Sequence, residues 1–354
     1  MSYINKQKNT YGISGLQCIA TFCRTSKPNW CILIATLCTF VLLFHHAHYL
    51  SYSKLSEAFS NEDDSNSVMA DGNVENEPIQ TEEVNTNETV IEMSDRVPSF
   101  ELATKKGDRP SSESDRAYGK LLDELHLQDV CQQDPTTIVV DVGAGLGEFG
   151  LYAAACGCTV YMFEVRTDLV TLIKSSIKHN SFTSPPVNVF QKAVSDVPTD
   201  STIDYSPPEG AGDNTETFTT VQTIRLDDVS WSSLSIYILK IDTPGSELNV
   251  LRSAKTLFNQ KRIRYLFFDY SPWLGDPELQ KSILSYVRRD AKAKFIYNIY
   301  RKDEKIYGPL VPMHFPTLYD RMVESRTNTS IYAVFDNRVT RSSIKSEPFP
   351  INNR

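Results

Sequence analysis

The sequence lacks a cysteine framework. Of its seven cysteines, Cys18, Cys23, Cys31 and Cys38 fall in or before an apolar segment, which leaves Cys131, Cys156 and Cys158 in the globular part. Three cannot all pair with one another. Cys156 and Cys158 are separated only by Gly157, and no second Cys or His pair at zinc-like spacing follows. They read as packed thiols and not as metal ligands. Clustered Lys and Arg are also missing, so nothing resembles a face that displaces counterions from phosphates, and nucleic acid is excluded as a partner. Acidic residues are absent before Glu57, whereas Glu57 to Asp95 carries twelve acids and no Lys or Arg; without that stretch the net charge of −8 becomes +4.

One apolar run stands out. Residues 29–50, NWCILIATLCTFVLLFHHAHYL, contain no formal charge, and as a helix they would be roughly 33 Å long, enough to cross a bilayer core. Trp30 and the cluster His45, His46, His48 and Tyr49 would sit at the two interfaces. With 28 residues ahead of it and bulky residues behind it, the segment fits a signal anchor better than a cleaved signal peptide. Lys6, Lys8, Arg24 and Lys27 precede it, which keeps 1–28 cytosolic. The expectation is therefore a single-pass type II protein of the Golgi or endoplasmic reticulum with a luminal C-terminal domain. A mitochondrial presequence is the rival reading of an acid-free N-terminus.

Residues 51–113, rich in Ser, Asn, Glu and Asp without apolar period, cannot offset chain entropy by burial and are expected to form a disordered stem. Asn87-Glu88-Thr89 and Asn328-Thr329-Ser330 are glycosylation sequons. The globular domain is expected over 114–338, followed by a tail, 339–354.

From Thr136 onward short β-branched runs alternate with helical stretches, the pattern of an α/β domain with a mainly parallel sheet and helices on both faces. Strands are expected at 138–141, 159–163, 187–190, 236–241, 265–268, 294–299 and 331–335. Residues 218–224 alternate like a hairpin arm after a polar, Pro-rich insertion. Two constellations fall at strand ends. In Val139-Val140-Asp141-Val142-Gly143-Ala144-Gly145-Leu146-Gly147 a buried strand breaks into a glycine turn that feeds a helix, and glycine there lets the backbone approach a ligand. The dinucleotide fingerprint would need its third glycine at position 148, which is Glu148. Glu164 lies 21 residues after Gly143 at the end of the next strand, where a carboxylate can accept ribose hydroxyls. Ala193 to Asp196, after the third strand, would flank an adenine. The second constellation, Lys240-Ile241-Asp242-Thr243-Pro244-Gly245-Ser246-Glu247, ends the fourth parallel strand. Strand alternation points Lys240 and Asp242 to one side, and converging charges on a buried strand need pairing or a function.

These motifs, with Thr223 to Asp228, Val250-Leu251, Ala254 and Leu266 to Tyr270, resemble in order the FkbM methyltransferases over residues 136–270. The resemblance implies a Rossmann-like class I methyltransferase sheet with its last strand antiparallel, and S-adenosylmethionine as cofactor. Asp141, Gly143, Ala144, Gly145, Gly147, Glu164, Ala193 and Asp196 would bind the cofactor. Asp242 would act as base or acceptor orienter, Lys240 would tune it, and Glu247 would assist from the following helix. The implied activity is O-methylation, on a glycan hydroxyl if the domain is luminal. Pro244 departs from the pattern, where relatives carry Glu or Gln. The competing readings are a nucleotide-dependent oxidoreductase and an inactive S-adenosylmethionine-binding protein.

Overall fold

Why the central strands form is plain from their composition: Ile138–Val142, Thr159–Phe163 and Ile236–Ile241 are buried along their whole length, as parallel strands covered on both faces must be. The computed structural model describes residues 89–107, 113–205, 219–300 and 305–350. In chain order the first elements are β1 (Thr89–Met93), β2 (Glu101–Lys105), α1 (Glu113–Glu124), α2 (Leu127–Gln133), β3 (Ile138–Val142), α3 (Glu148–Ala155), β4 (Thr159–Phe163) and α4 (Thr167–His179). The short strands β5 (Val187–Phe190), β6 (Ala193–Val194), β7 (Thr202–Tyr205) and β8 (Thr219–Ile224) follow, then β9 (Ile236–Ile241), α5 (Glu247–Ser253), α6 (Lys255–Asn259) and β10 (Ile263–Tyr270). The last are α7 (Pro277–Arg289), β11 (Phe295–Tyr300), β12 (Lys305–Tyr307), α8 (His314–Ser325) and β13 (Thr329–Val334).

Eight strands form the main sheet in the order β12-β11-β13-β10-β9-β3-β4-β5. From β10 to β5 neighbours run parallel, and β13 inserts antiparallel between β10 and β11. One face packs on α5, α7 and α8 through residues such as Leu248, Ile283 and Leu318. The other packs on α1 to α4 through Tyr118, Leu127, Phe149 and Ile173. The chain leaves β3 toward β4 on one side and returns to β9 on the other. That reversal opens a crevice at the strand carboxyl ends, the usual ligand position of such sheets. The arm over 219–224 pairs antiparallel with β7 and parallel with β6 in a separate small sheet.

Four expectations are corrected. The fold is a mixed α/β one with a large sheet, but among the described residues no helix is long and apolar enough to cross a membrane; the anchor expected at 29–50 lies outside the described residues. The membrane-preceded fold and the luminal Golgi or endoplasmic reticulum location built on it are not carried forward. Secondly, the stem expected to be disordered over 51–113 contains folded structure. β1 and β2 form a hairpin within it, held because Ala103 N–H donates to Ser176 Oγ (2.8 Å) and Asn180 exchanges hydrogen bonds with Glu101 (2.7 and 2.6 Å). Thirdly, the expected tail packs on the domain: Ile344 and Phe349 are buried and Arg321 donates to the Pro350 carbonyl. Finally, Cys131 and Cys158 are not packed thiols but a disulfide with a Cα–Cα distance of 4.8 Å, and Cys156 is the buried free thiol. A bend of the chain brings α2 onto the start of β4, which spacing alone does not disclose.

Candidate active site

The glycine turn after β3 is fixed by its neighbours. Gly143 and Ala144 N–H both donate to the Phe163 carbonyl (2.9 and 3.1 Å), and Gly147 N–H closes the turn on Ala144 (2.8 Å). Gly143, Gly145 and Gly147 have φ of 71°, 57° and 84°, a region that penalises a Cβ. Their surroundings differ. A Cβ on Gly143 would run into the Asp242 carbonyl oxygen and one on Gly147 would press on Ile173, whereas a Cβ on Gly145 would meet nothing within 4 Å. The open space the turn faces is therefore at Gly145.

Glu164, at the end of β4, is 6% exposed. Its carboxylate accepts from Gly145 N–H (2.8 Å), Val165 N–H (2.8 Å) and Arg166 N–H (2.9 Å). Burial pushes its pKa up, opposed by these N–H donors and by the charge of Lys240. Ala193 is buried in β6, and the Asp196 carbonyl accepts from Arg225 (2.6 Å), so this segment is anchored to the chain leaving β8.

The charged residues sort themselves by contact. Asp141 and Lys240 are register partners on adjacent strands. Lys240 Nζ lies 2.9 Å from Asp141 Oδ1, donates to the Gly143 carbonyl (3.0 Å) and is 4.0 Å from Asp242 Oδ2. The other Asp141 oxygen accepts from Gly150 N–H (3.1 Å). Asp141 is thus enclosed under the turn and does not face the crevice, and the main partner of Lys240 is Asp141, not Asp242. Asp242 keeps 30% of its side chain exposed. Its N–H donates to Val142 (2.8 Å), which holds it against the glycine turn.

Glu247 opens α5 and is fully buried. It accepts from Gly245 N–H (3.1 Å) and from Gln280 Nε2 (3.2 Å). Gln280 reaches it because Asp276 caps α7, accepting from Glu278 and Leu279 N–H, with Pro277 at the first helical position. Burial pushes the Glu247 pKa up to about 8, with the nearby Asp242 adding to the rise. Glu247 therefore shapes the loop behind the site. Pro244 is exposed on that loop, and Gly245 packs on the backbone of Gly275.

A further network escaped sequence reasoning. Asp269, near the end of β10 on the strand beside Asp242, accepts from Tyr118 (2.5 Å) and Ser330 (2.9 Å). Tyr118 also stacks on Phe267 at 5.2 Å. Asp269 sat in a recognised run, but nothing in the sequence pointed to Tyr118, 151 residues away. Among the described residues no group of three or more His, Cys, Asp or Glu is arranged to hold a metal ion.

Residues 141–295 match the family model described as the methyltransferase FkbM domain. No curated protein matches the chain. Among solved structures, the N-terminal domain of human METTL16 in complex with SAH is 13% identical, with 62% of this chain and 70% of that one covered at a TM-score of 0.34. The human methyltransferase 10 domain containing protein is 14% identical over 60% and 80%, TM-score 0.32. A SAM-dependent methyltransferase from Agrobacterium tumefaciens is 10% identical over 51% and 52%, TM-score 0.31.

Proposed function

We propose that this chain, whose residues 141–295 match the methyltransferase FkbM domain, moves a methyl group from S-adenosylmethionine to an alcohol hydroxyl, with Asp242 as the base. The residues present fit the cofactor. The space beside Gly145 admits a ligand against the backbone. Glu164, already ordered by three N–H donors, ends β4 where ribose hydroxyls would be bound. Ala193 and Asp196 would flank the adenine. Gly143, Ala144 and Gly147 hold the turn in shape. When bound, the cofactor supplies an electrophilic methyl on a sulfonium.

The observation that carries the assignment of the base is a contrast in exposure. Asp141, Glu247 and Asp269 are buried, at 0%, 0% and 5% exposure, and engaged by protein donors. Asp242 alone of these four presents a substantial part of its side chain at the carboxyl end of a central strand. Methyl transfer is an in-line displacement, so the protein must mainly align the acceptor. Asp242 takes the hydroxyl proton as the oxygen–carbon bond forms and the carbon–sulfur bond breaks. A glycan acceptor was tied to a luminal location and is not retained with it; the proposal stops at an alcohol.

Asp242→Asn keeps size and removes the proton acceptor. It should fold and bind S-adenosylhomocysteine as the wild type does, while transfer of labelled methyl to hydroxyl compounds falls by about 10² to 10⁴, roughly 3 to 5 kcal/mol of barrier. Loss of S-adenosylhomocysteine binding with turnover of the bound complex intact would make Asp242 a cofactor ligand instead.

A further inference from the structure

Lys240 stands at an unusual junction. It is 4% exposed, yet its ammonium is shared among three groups at two strand ends: Asp141 Oδ1 at 2.9 Å, the Gly143 carbonyl at 3.0 Å and Asp242 Oδ2 at 4.0 Å. Pairing with Asp141 alone would satisfy a buried charge. The contact with Gly143 has a different effect, because Gly143 is the first residue of the cofactor turn and packs against the Asp242 backbone. Three constraints then meet at one residue: Phe163 holds the Gly143 N–H, Lys240 holds its carbonyl, and Asp242 blocks its Cβ direction. Fixing the peptide groups on both sides of a residue at φ 71° restrains the turn.

We propose that Lys240 is a positioning residue, neither proton carrier nor tuner of Asp242, which holds the glycine turn in its cofactor-receiving shape through the Gly143 carbonyl and thereby sets the distance between the cofactor and Asp242. The inference rests on the reading of the glycine turn as the cofactor cradle. It separates from a field effect by the charge of the ligand. S-adenosylmethionine carries a sulfonium and S-adenosylhomocysteine a neutral thioether, so a change in local field alters their affinities unequally. A change in the shape of the turn alters both alike.

The test is calorimetric titration of both ligands into wild type, Lys240→Met and Lys240→Gln, with folding followed by thermal melt. Lys240→Met keeps the stem and removes the donor; S-adenosylhomocysteine, which is neutral at sulfur and so reports the shape of the turn, should bind about tenfold or more weaker, the loss expected for a charged hydrogen bond. Amides of residues 143–147 should exchange faster with solvent in the folded, ligand-free variant. Lys240→Gln retains a donor and should recover part of the loss. Unchanged affinity for both ligands, or a shift for S-adenosylmethionine alone, overturns the proposal. Should Lys240→Met fail to fold, Lys240→Gln decides by the neutral ligand: weaker binding of S-adenosylhomocysteine supports the proposal, and unchanged binding overturns it. A wild type that binds neither ligand contradicts the cofactor reading itself, a separate failure.

Discussion

Glu247 illustrates how burial changes what a single carboxyl does. With its pKa at about 8 against an ordinary 4.5, it enters the folded state protonated through the neutral range. The folded state then binds a proton that the unfolded chain has lost, so stability falls as pH rises from about 4.5 to about 8, by an amount on the order of 5 kcal/mol at full extent. Gln280 suits the neutral form, since its Oε1 is buried without a partner and a turned amide would accept the Glu247 O–H. Glu247→Gln imitates that protonated state permanently. Its melting temperature should match the wild type near pH 5 and exceed it increasingly toward about pH 9. A constant difference across that range would mean that Glu247 is ionised in the fold. At this scale the sequence was partly legible. Lys240, Asp242 and the glycines stood out because polar or small residues interrupt buried strands. That Asp141 takes most of the Lys240 charge follows from strand pairing across 99 residues of chain, and local spacing carries no record of it.

Elements show the same division. Strands at 159–163 and 236–241 were readable because continuous apolar runs in an α/β pattern have few alternatives. The hairpin of β1 and β2 was not, because its flanks are acidic and its stabilising partners, Ser176 and Asn180, lie 73 and 79 residues further on. α2 is likewise held from a distance, by the disulfide between Cys131 and Cys158, 27 residues apart. A loop of that size corresponds to about 3 to 4 kcal/mol in the chain-entropy account. Cys131→Ala combined with Cys158→Ala should therefore lower the melting temperature by about 10 °C, given roughly 2 to 4 °C per kcal/mol in a domain of this size. Melting within about 2 °C of the wild type would show that the packing of Leu127 and its neighbours holds α2 without the bond.

Across the whole molecule, the sheet reverses its strand order between β3 and β9 and brings the two sequence constellations to the same crevice. The glycine turn and Asp242 meet there in direct contact, Gly143 against the Asp242 backbone. Glycines at 143, 145 and 147, with Glu148 where a dinucleotide fold would need glycine, favour S-adenosylmethionine over NAD. The most direct measurement is calorimetric titration of the protein with S-adenosylhomocysteine and, separately, with NAD, repeated on Gly145→Val. Saturable one-site binding of S-adenosylhomocysteine is expected, none of NAD, and loss of the former when valine fills the space beside residue 145. Binding of NAD in place of S-adenosylhomocysteine, or undiminished S-adenosylhomocysteine binding by Gly145→Val, would contradict it.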